Sequence, residues 1–251
     1  MLGFSTFIRL ALVVVVGSIV TALAQAQSPN RAERKAGTAA DTRQDVKVED
    51  LRNLQPEDYR VYTEHPRLLI NARRLRLLRR ERERKTLRWE QFDTLITGNA
   101  EMPEKGFAWA LHYLTAEDAA TGKQAIQWAL GPAADLRQIA IVYDWCHPLL
   151  SETQARTLES KLADLLRRER RDTVAAVRDK AFAAIALADH VKDLPEATLQ
   201  QIYRQWWLEK MVTALLKDRS ALTLTDGYPL IELMHVIQDN LKFDMRDNAR
   251  P

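Results

Sequence analysis

Cysteine is nearly absent. Cys146 is the single one among 251 residues, so no intramolecular disulfide can form. Its place within an apolar run reads as a buried, inert thiol. Metal-ligand spacing is also absent: there is no HExxH, no Cys pair and no dense carboxylate loop, so neither a metal nor a cofactor is expected. No glycine-rich phosphate loop and no GxSxG occurs, which removes the P-loop and nucleophile-elbow classes. No charge sign dominates. With 37 basic against 34 acidic residues and a formal charge of +3, a pI near 9.0 does not argue for nucleic acid, and no nucleic-acid reader motif accompanies it. Sustained period-2 alternation is missing too, so almost no sheet is predicted. Aromatics are few at 7%, yet six of them are tryptophans, and these fall within predicted helices or at their ends.

What is present centres on residues 135–150, DLRQIAIVYDWCHPLL. The stretch is apolar nearly all round, which predicts a buried helix rather than a surface one. Asp144 lies inside it between Tyr143 and Trp145. A carboxylate there needs a partner, because an unpaired buried charge is very costly. Two readings stand: a structural Asp that ties neighbouring helices together, or a site residue beside a cleft.

Along the chain, residues 1–26 have the form of a secretory signal. Arg9 is the positive residue, an apolar run follows, and Ala22-Leu23-Ala24 and Ala24-Gln25-Ala26 are small-x-small cleavage sites. The run is short for a membrane span of ~20 residues, so a periplasmic or secreted protein is expected, with an uncleaved anchor as the alternative. Residues 27–63 are polar and poorly patterned and read as a flexible linker. Residues 64–251 read as one helical domain.

After His65-Pro66, Asn71 is an N-cap for a helix over residues 72–96. Its first half carries Arg73, Arg74, Arg76, Arg79, Arg80, Arg82, Arg84, Lys85 and Arg88. This basic run is either a solvated face or a docking stripe for an acidic polymer. Further helices are predicted from Gly106, from a cap at Thr115, and over 135–147 with Pro148 ending it. Ser151-Glu152-Thr153-Gln154 is a capping box. Helices restart at Asp172 and Pro195, and Asp226-Gly227-Tyr228-Pro229 reads as a turn that opens a last helix at Leu230. Helices joined by short loops form antiparallel hairpins. Periodicity leaves a bundle, a solenoid and a closed ring of hairpins open.

Three stretches carry a resemblance. In order, HPRLLINARRLRLLRRE, FAWALHYLTAEDAATGKQAIQWAL and DLRQIAIVYDWCHPLLSETQARTLESKL resemble the N-terminal helical domain of heparinase II/III-like polysaccharide lyases, to which alginate-lyase-like enzymes are related. The likeness covers residues 65–166, and Tyr143-Asp144-Trp145 is its most telling part. It implies an all-α fold whose antiparallel hairpins form a partial, incomplete α/α-toroid. It also implies β-elimination on uronic-acid polymers, which needs a base, a carboxylate neutraliser and an acid.

On that resemblance the catalytic candidates are Tyr228, His235 and Tyr143, with His147 also in reach. Arg178, Arg79, Arg80 and Arg84 are the substrate-binding candidates. Each has a plainer reading: Tyr143 as core, Tyr228 as a structural turn residue, His235 as an ordinary helical histidine, His147 as a C-cap, and His65 as architectural. Two departures weigh against activity. Where the family has an Asn-His pair, this chain has Val177-Arg178-Asp179, and the family's C-terminal β-sandwich has not begun by Pro251. The expectation is therefore an exported toroid-type domain, inactive alone, whose partners are an acidic polysaccharide and a separate β-sandwich protein. The alternative is a non-catalytic binding or scaffold module.

Overall fold

The computed structural model describes residues 58–61, 63–217, 222–241 and 244–246. The predicted signal segment and most of the predicted linker lie outside the described residues. Among the described residues every regular element is helical and no strand occurs. In order these are α1 (Ala72–Glu83), α2 (Leu87–Thr97), α3 (Lys105–Ala116), α4 (Ala119–Leu130), α5 (Leu136–Trp145), a 3₁₀ turn (His147–Leu149), α6 (Glu152–Arg168), α7 (Val174–Leu187) and α8 (Leu194–Gln200). A π-helical stretch (Gln201–Val212) continues α8 into α9 (Thr213–Lys217), and α10 (Leu224–Leu241) follows. No described helix is long and apolar enough to cross a membrane.

The predicted buried helix is α5. Asp135 caps it, its side chain accepting from Gln138 N at 2.9 Å. All ten residues of α5 are buried, because α3, α4, α6 and α7 all pack on it. Each large apolar side chain enclosed there contributes about 1.5–3 kcal/mol relative to exposure. The helix stops at Cys146, and Pro148, which lacks an N–H donor, passes into the 3₁₀ turn. Cys146 is fully buried, and burial pushes its thiol up to about 12, so it is the inert thiol the sequence suggests.

α3 and α4 form a tight antiparallel hairpin. Glu117, at φ 62°, closes α3 in the left-handed region, and Asp118 caps α4 through Ala120 N at 2.9 Å. Gly106 is needed for the close approach of these helices: a Cβ there would stand 2.3 Å from the Trp128 ring. Gln138 of α5 reaches across to accept from Gly106 N at 3.1 Å, which satisfies an orphan donor at the start of α3.

Several predicted boundaries are corrected. The single helix expected over 72–96 is two helices. Lys85 has φ 47°, and Thr86 then caps α2 through Trp89 N, so the basic run turns away from the apolar second half. The cap of α4 is Asp118 rather than Thr115, whose hydroxyl bonds back to Leu111 O within α3. α7 is capped by Thr173 rather than Asp172. The Asp226-Gly227-Tyr228-Pro229 turn lies inside α10. Thr223 donates its N–H and its hydroxyl to the Asp226 carboxylate at 3.0 and 2.6 Å, half of a capping box that starts the helix before the proline. The Ser151 capping box is present with both of its bonds.

Candidate functional site

The segment before α1 is clamped against three helices. Asp144, fully buried in α5, accepts from His65 Nδ1 at 2.5 Å, Arg67 N at 3.1 and 3.0 Å, and Leu68 N at 2.8 Å. Its neighbour Trp145 donates Nε1–H to Leu68 O at 2.8 Å. From α7 and its end, Ile185 O and Asp189 receive the Arg67 guanidinium at 3.2 and 2.6 Å. From α10, Asn240 donates to Arg67 O at 3.0 Å. A buried carboxylate with this set of donors has the compensation that its desolvation requires.

Around His65 gathers a cluster absent from the sequence reading. His147, in the 3₁₀ turn, stacks on the His65 ring with centroids 4.2 Å apart and planes 9° off parallel. His190, just past the end of α7, brings Nε2 to 3.3 Å from His65 Nε2. Tyr143 stands edge-on to all three imidazoles. Its hydroxyl donates to Glu159 Oε1 at 2.9 Å, and the same carboxylate oxygen lies 3.5 Å from His190 Nδ1. One ring nitrogen from each of the three histidines falls within 4.8 Å of the others. Burial lowers the pKa of His147 and of His190, and the charge of His65 adds to the effect in both. His65, His147 and His190 were missed as a group because they come from a loop, a 3₁₀ turn and a helix end far apart in the chain. The available trace is the repeated His-Pro dipeptide at 65–66 and 147–148.

The predicted site residues fall in four places. Tyr143 is fully buried, and burial followed by its bond to Glu159 raises its pKa, so it is a poor source of phenolate. Tyr228 is in α10 rather than in a turn and is 39% exposed; burial, then the Glu232 charge, raises its pKa. Arg178 is fully engaged. It donates to Glu232 Oε2 at 2.6 Å and to Asp179 Oδ1 at 2.8 Å, while Arg137 holds the other Glu232 oxygen at 2.7 Å. Tyr228 and Arg178 thus share the surroundings of Glu232. His235 lies seven residues beyond Tyr228, about 10 Å along the helix axis, beside Arg74 and Asp239, and burial lowers its pKa.

The basic helix is not one uniform stripe. Arg74 is buried against Leu69 O and Asp239. Arg79 bridges to Leu114 O and Glu117 of the α3–α4 hairpin. Arg80 and Arg84 point to solvent, and no described residue pairs with either. Elsewhere, a groove of about 820 Å³ lies between the α4–α5 loop and α6, lined by Arg156, Lys161 and Arg168 with no aromatic side chain. It contains none of the predicted site residues.

Fold and site together define a protein whose described elements are all helical and in which a buried carboxylate holds one member of a cluster of three histidines. Comparison with protein-family models, with curated proteins and with solved structures gives no match for this chain.

Proposed function

We propose that this chain is an exported helical domain of the heparinase II/III-like type, a partial α/α-toroid that serves as a non-catalytic scaffold and does not eliminate by itself. The observation that carries this reading is the Asp144 clamp. Tyr143-Asp144-Trp145, the most telling part of the resemblance, meets His65-Pro66-Arg67-Leu68-Leu69, the start of another stretch that carries it, through four carboxylate bonds and the Trp145 indole. They act as one structural unit, which explains their co-occurrence without catalysis. The groups that elimination requires are committed elsewhere. Tyr143 donates to Glu159, Arg178 is bound by Glu232 and Asp179, and His235 stands about two helical turns from Tyr228.

The test is incubation of the purified mature protein with heparin, heparan sulfate and alginate, following the absorbance of the unsaturated product. The expected result is no product. Product that disappears in Tyr228→Phe would overturn the scaffold reading. A polysaccharide-binding role for the same scaffold is favoured by the free guanidinium groups of Arg80 and Arg84 on α1.

A further inference from the structure

The Nε2 atoms of His65 and His190 face each other in a way that asks for a cation between them. His65 Nδ1 is bound by the Asp144 carboxylate at 2.5 Å, and His190 Nδ1 faces the Glu159 carboxylate at 3.5 Å. Carboxylates accept only, so in its neutral form the His65 ring carries its hydrogen on Nδ1, and the Glu159 carboxylate favours the same tautomer in His190; the lone pair of each ring is then left on Nε2. Two such lone pairs lie 3.3 Å apart. That separation is long for a strong N–H···N bond. It equals the roughly 3.3 Å between two nitrogens held at about 2.0 Å by one tetrahedral ion. The carboxylate behind each imidazole is the arrangement that fixes tautomer and orientation in histidine metal sites.

We propose that His65, His190 and His147 form a binding site for a zinc-like divalent transition metal, with Nε2 of His65 and of His190 as the fixed ligands. His147 is the third ligand. One of its ring nitrogens is within 4.8 Å of a ring nitrogen of each of the other two, and it reaches the ion by turning out of its stack on His65. Three neutral imidazoles suit zinc, nickel, cobalt or copper and disfavour magnesium or calcium, which take oxygen ligands. Three protein ligands leave a fourth position for water or for an anionic oxygen. Access is open from the His190 side, whose side chain is 25% exposed against 10% for His65. Asp144 and Glu159 are positioning residues here, each holding a ligand imidazole from behind.

The experiment uses the full mature chain, stripped with a chelator and titrated with Co²⁺ at pH 7.5. Visible d–d absorption reports four-coordination, and Zn²⁺ serves as the competitor. The expected result is one Co²⁺ per chain with a four-coordinate spectrum that Zn²⁺ displaces. His190→Gln and His147→Gln, both at accessible positions, should each weaken binding at least 10-fold while the far-UV circular dichroism stays unchanged. Glu159→Gln should weaken it 10- to 100-fold, the usual effect of removing a carboxylate behind a ligand histidine. Absence of saturable Co²⁺ binding would overturn the proposal, and the facing nitrogens would then share a proton. Binding of unchanged affinity in both His190→Gln and His147→Gln would overturn it equally.

Discussion

The Asp144 carboxylate and the His65 imidazole, 79 positions apart in the chain, are joined at 2.5 Å in a place where Asp144 has no exposure to solvent. The same carboxylate accepts the backbone N–H groups of Arg67 and Leu68, so one side chain of α5 fixes the path of the whole entry segment. That contact also orients the His65 ring toward His147 and His190, and thereby links core architecture to the histidine cluster.

Glu232 holds two guanidinium groups, those of Arg137 and Arg178, and is itself buried. Glu232→Ala leaves Arg137 with Glu104 and Arg178 with Asp179 as their remaining partners, and is expected to cost about 3 kcal/mol in urea unfolding, the lower end of what breaking a buried pair costs. The exposed Arg156–Glu152 pair on α6 is the control: Arg156→Ala should change stability by less than ~0.5 kcal/mol. Equal effects at the two sites would contradict the assignment of Glu232 as the junction of α5, α7 and α10.

Tyr143→Phe removes one hydroxyl and leaves the ring in place. The loss of its bond to Glu159 is expected to cost about 1 kcal/mol, measured by thermal or urea unfolding. A loss above about 3 kcal/mol, the range of core truncation, would mean that the hydroxyl supports more than this one contact.

His147, His190 and His235 all have pKa values lowered from 6.5, with burial as the first cause. A lowered value means that the folded state binds fewer protons than the unfolded one. The stability these groups contribute is therefore complete above pH 6.5 and declines as the pH falls from there through the lowered folded values. Urea midpoints of chelator-treated protein between pH 8 and pH 5 should show this decline. His235→Gln, which leaves the three-histidine cluster untouched, should make the decline shallower. A profile of unchanged slope in that variant would reject the His235 contribution.

If α1 contacts an acidic polysaccharide, its free charges do so. Arg79 is unsuited to the test because it bridges to Leu114 O and Glu117. The paired substitution Arg80→Glu and Arg84→Glu is expected to abolish retention on a heparin column without loss of fold. Retention of the unaltered protein should vanish toward ~1 M salt, where the Debye length is about 3 Å. Unchanged retention of the variant would leave α1 a solvated face.

Export is tested by N-terminal sequencing of protein from the secreted or periplasmic fraction. The small-x-small sites at Ala22-Leu23-Ala24 and Ala24-Gln25-Ala26 lead us to expect Gln25 or Gln27 as the mature N-terminus. An intact Met1 in that fraction would contradict it.

Local patterns in the sequence carried a definite part of this structure. The all-round apolar run marked α5 as buried, the S-E-T-Q box marked the start of α6, and the placement of Asp144 among aromatics required a buried partner. The partner itself was not legible, because His65, Arg67 and Leu68 meet Asp144 through contacts more than 70 positions long. His190 was invisible for the same reason. The break at Lys85 was missed because a positive φ at a lysine has no sequence signature, and α10 was begun too late because Asp-Gly-Tyr-Pro has strong turn chemistry that the Thr223–Asp226 cap overrides. Arg178 offers a charge that Glu232 and Asp179 already hold, and Tyr228 lies in a helix, where burial raises its pKa; neither condition has a sequence signature.

The central claim is that Asp144 is the clamp joining the entry segment to the buried helix, and its most direct test is the urea unfolding of Asp144→Ala beside the unaltered chain. Removing the acceptor leaves the Arg67 and Leu68 N–H groups and the His65 Nδ1–H buried without a partner. The expected loss is about 3 kcal/mol, the scale of breaking a buried charge-assisted network. A loss below about 0.5 kcal/mol, typical of surface positions, would contradict the clamp and the scaffold reading built on it.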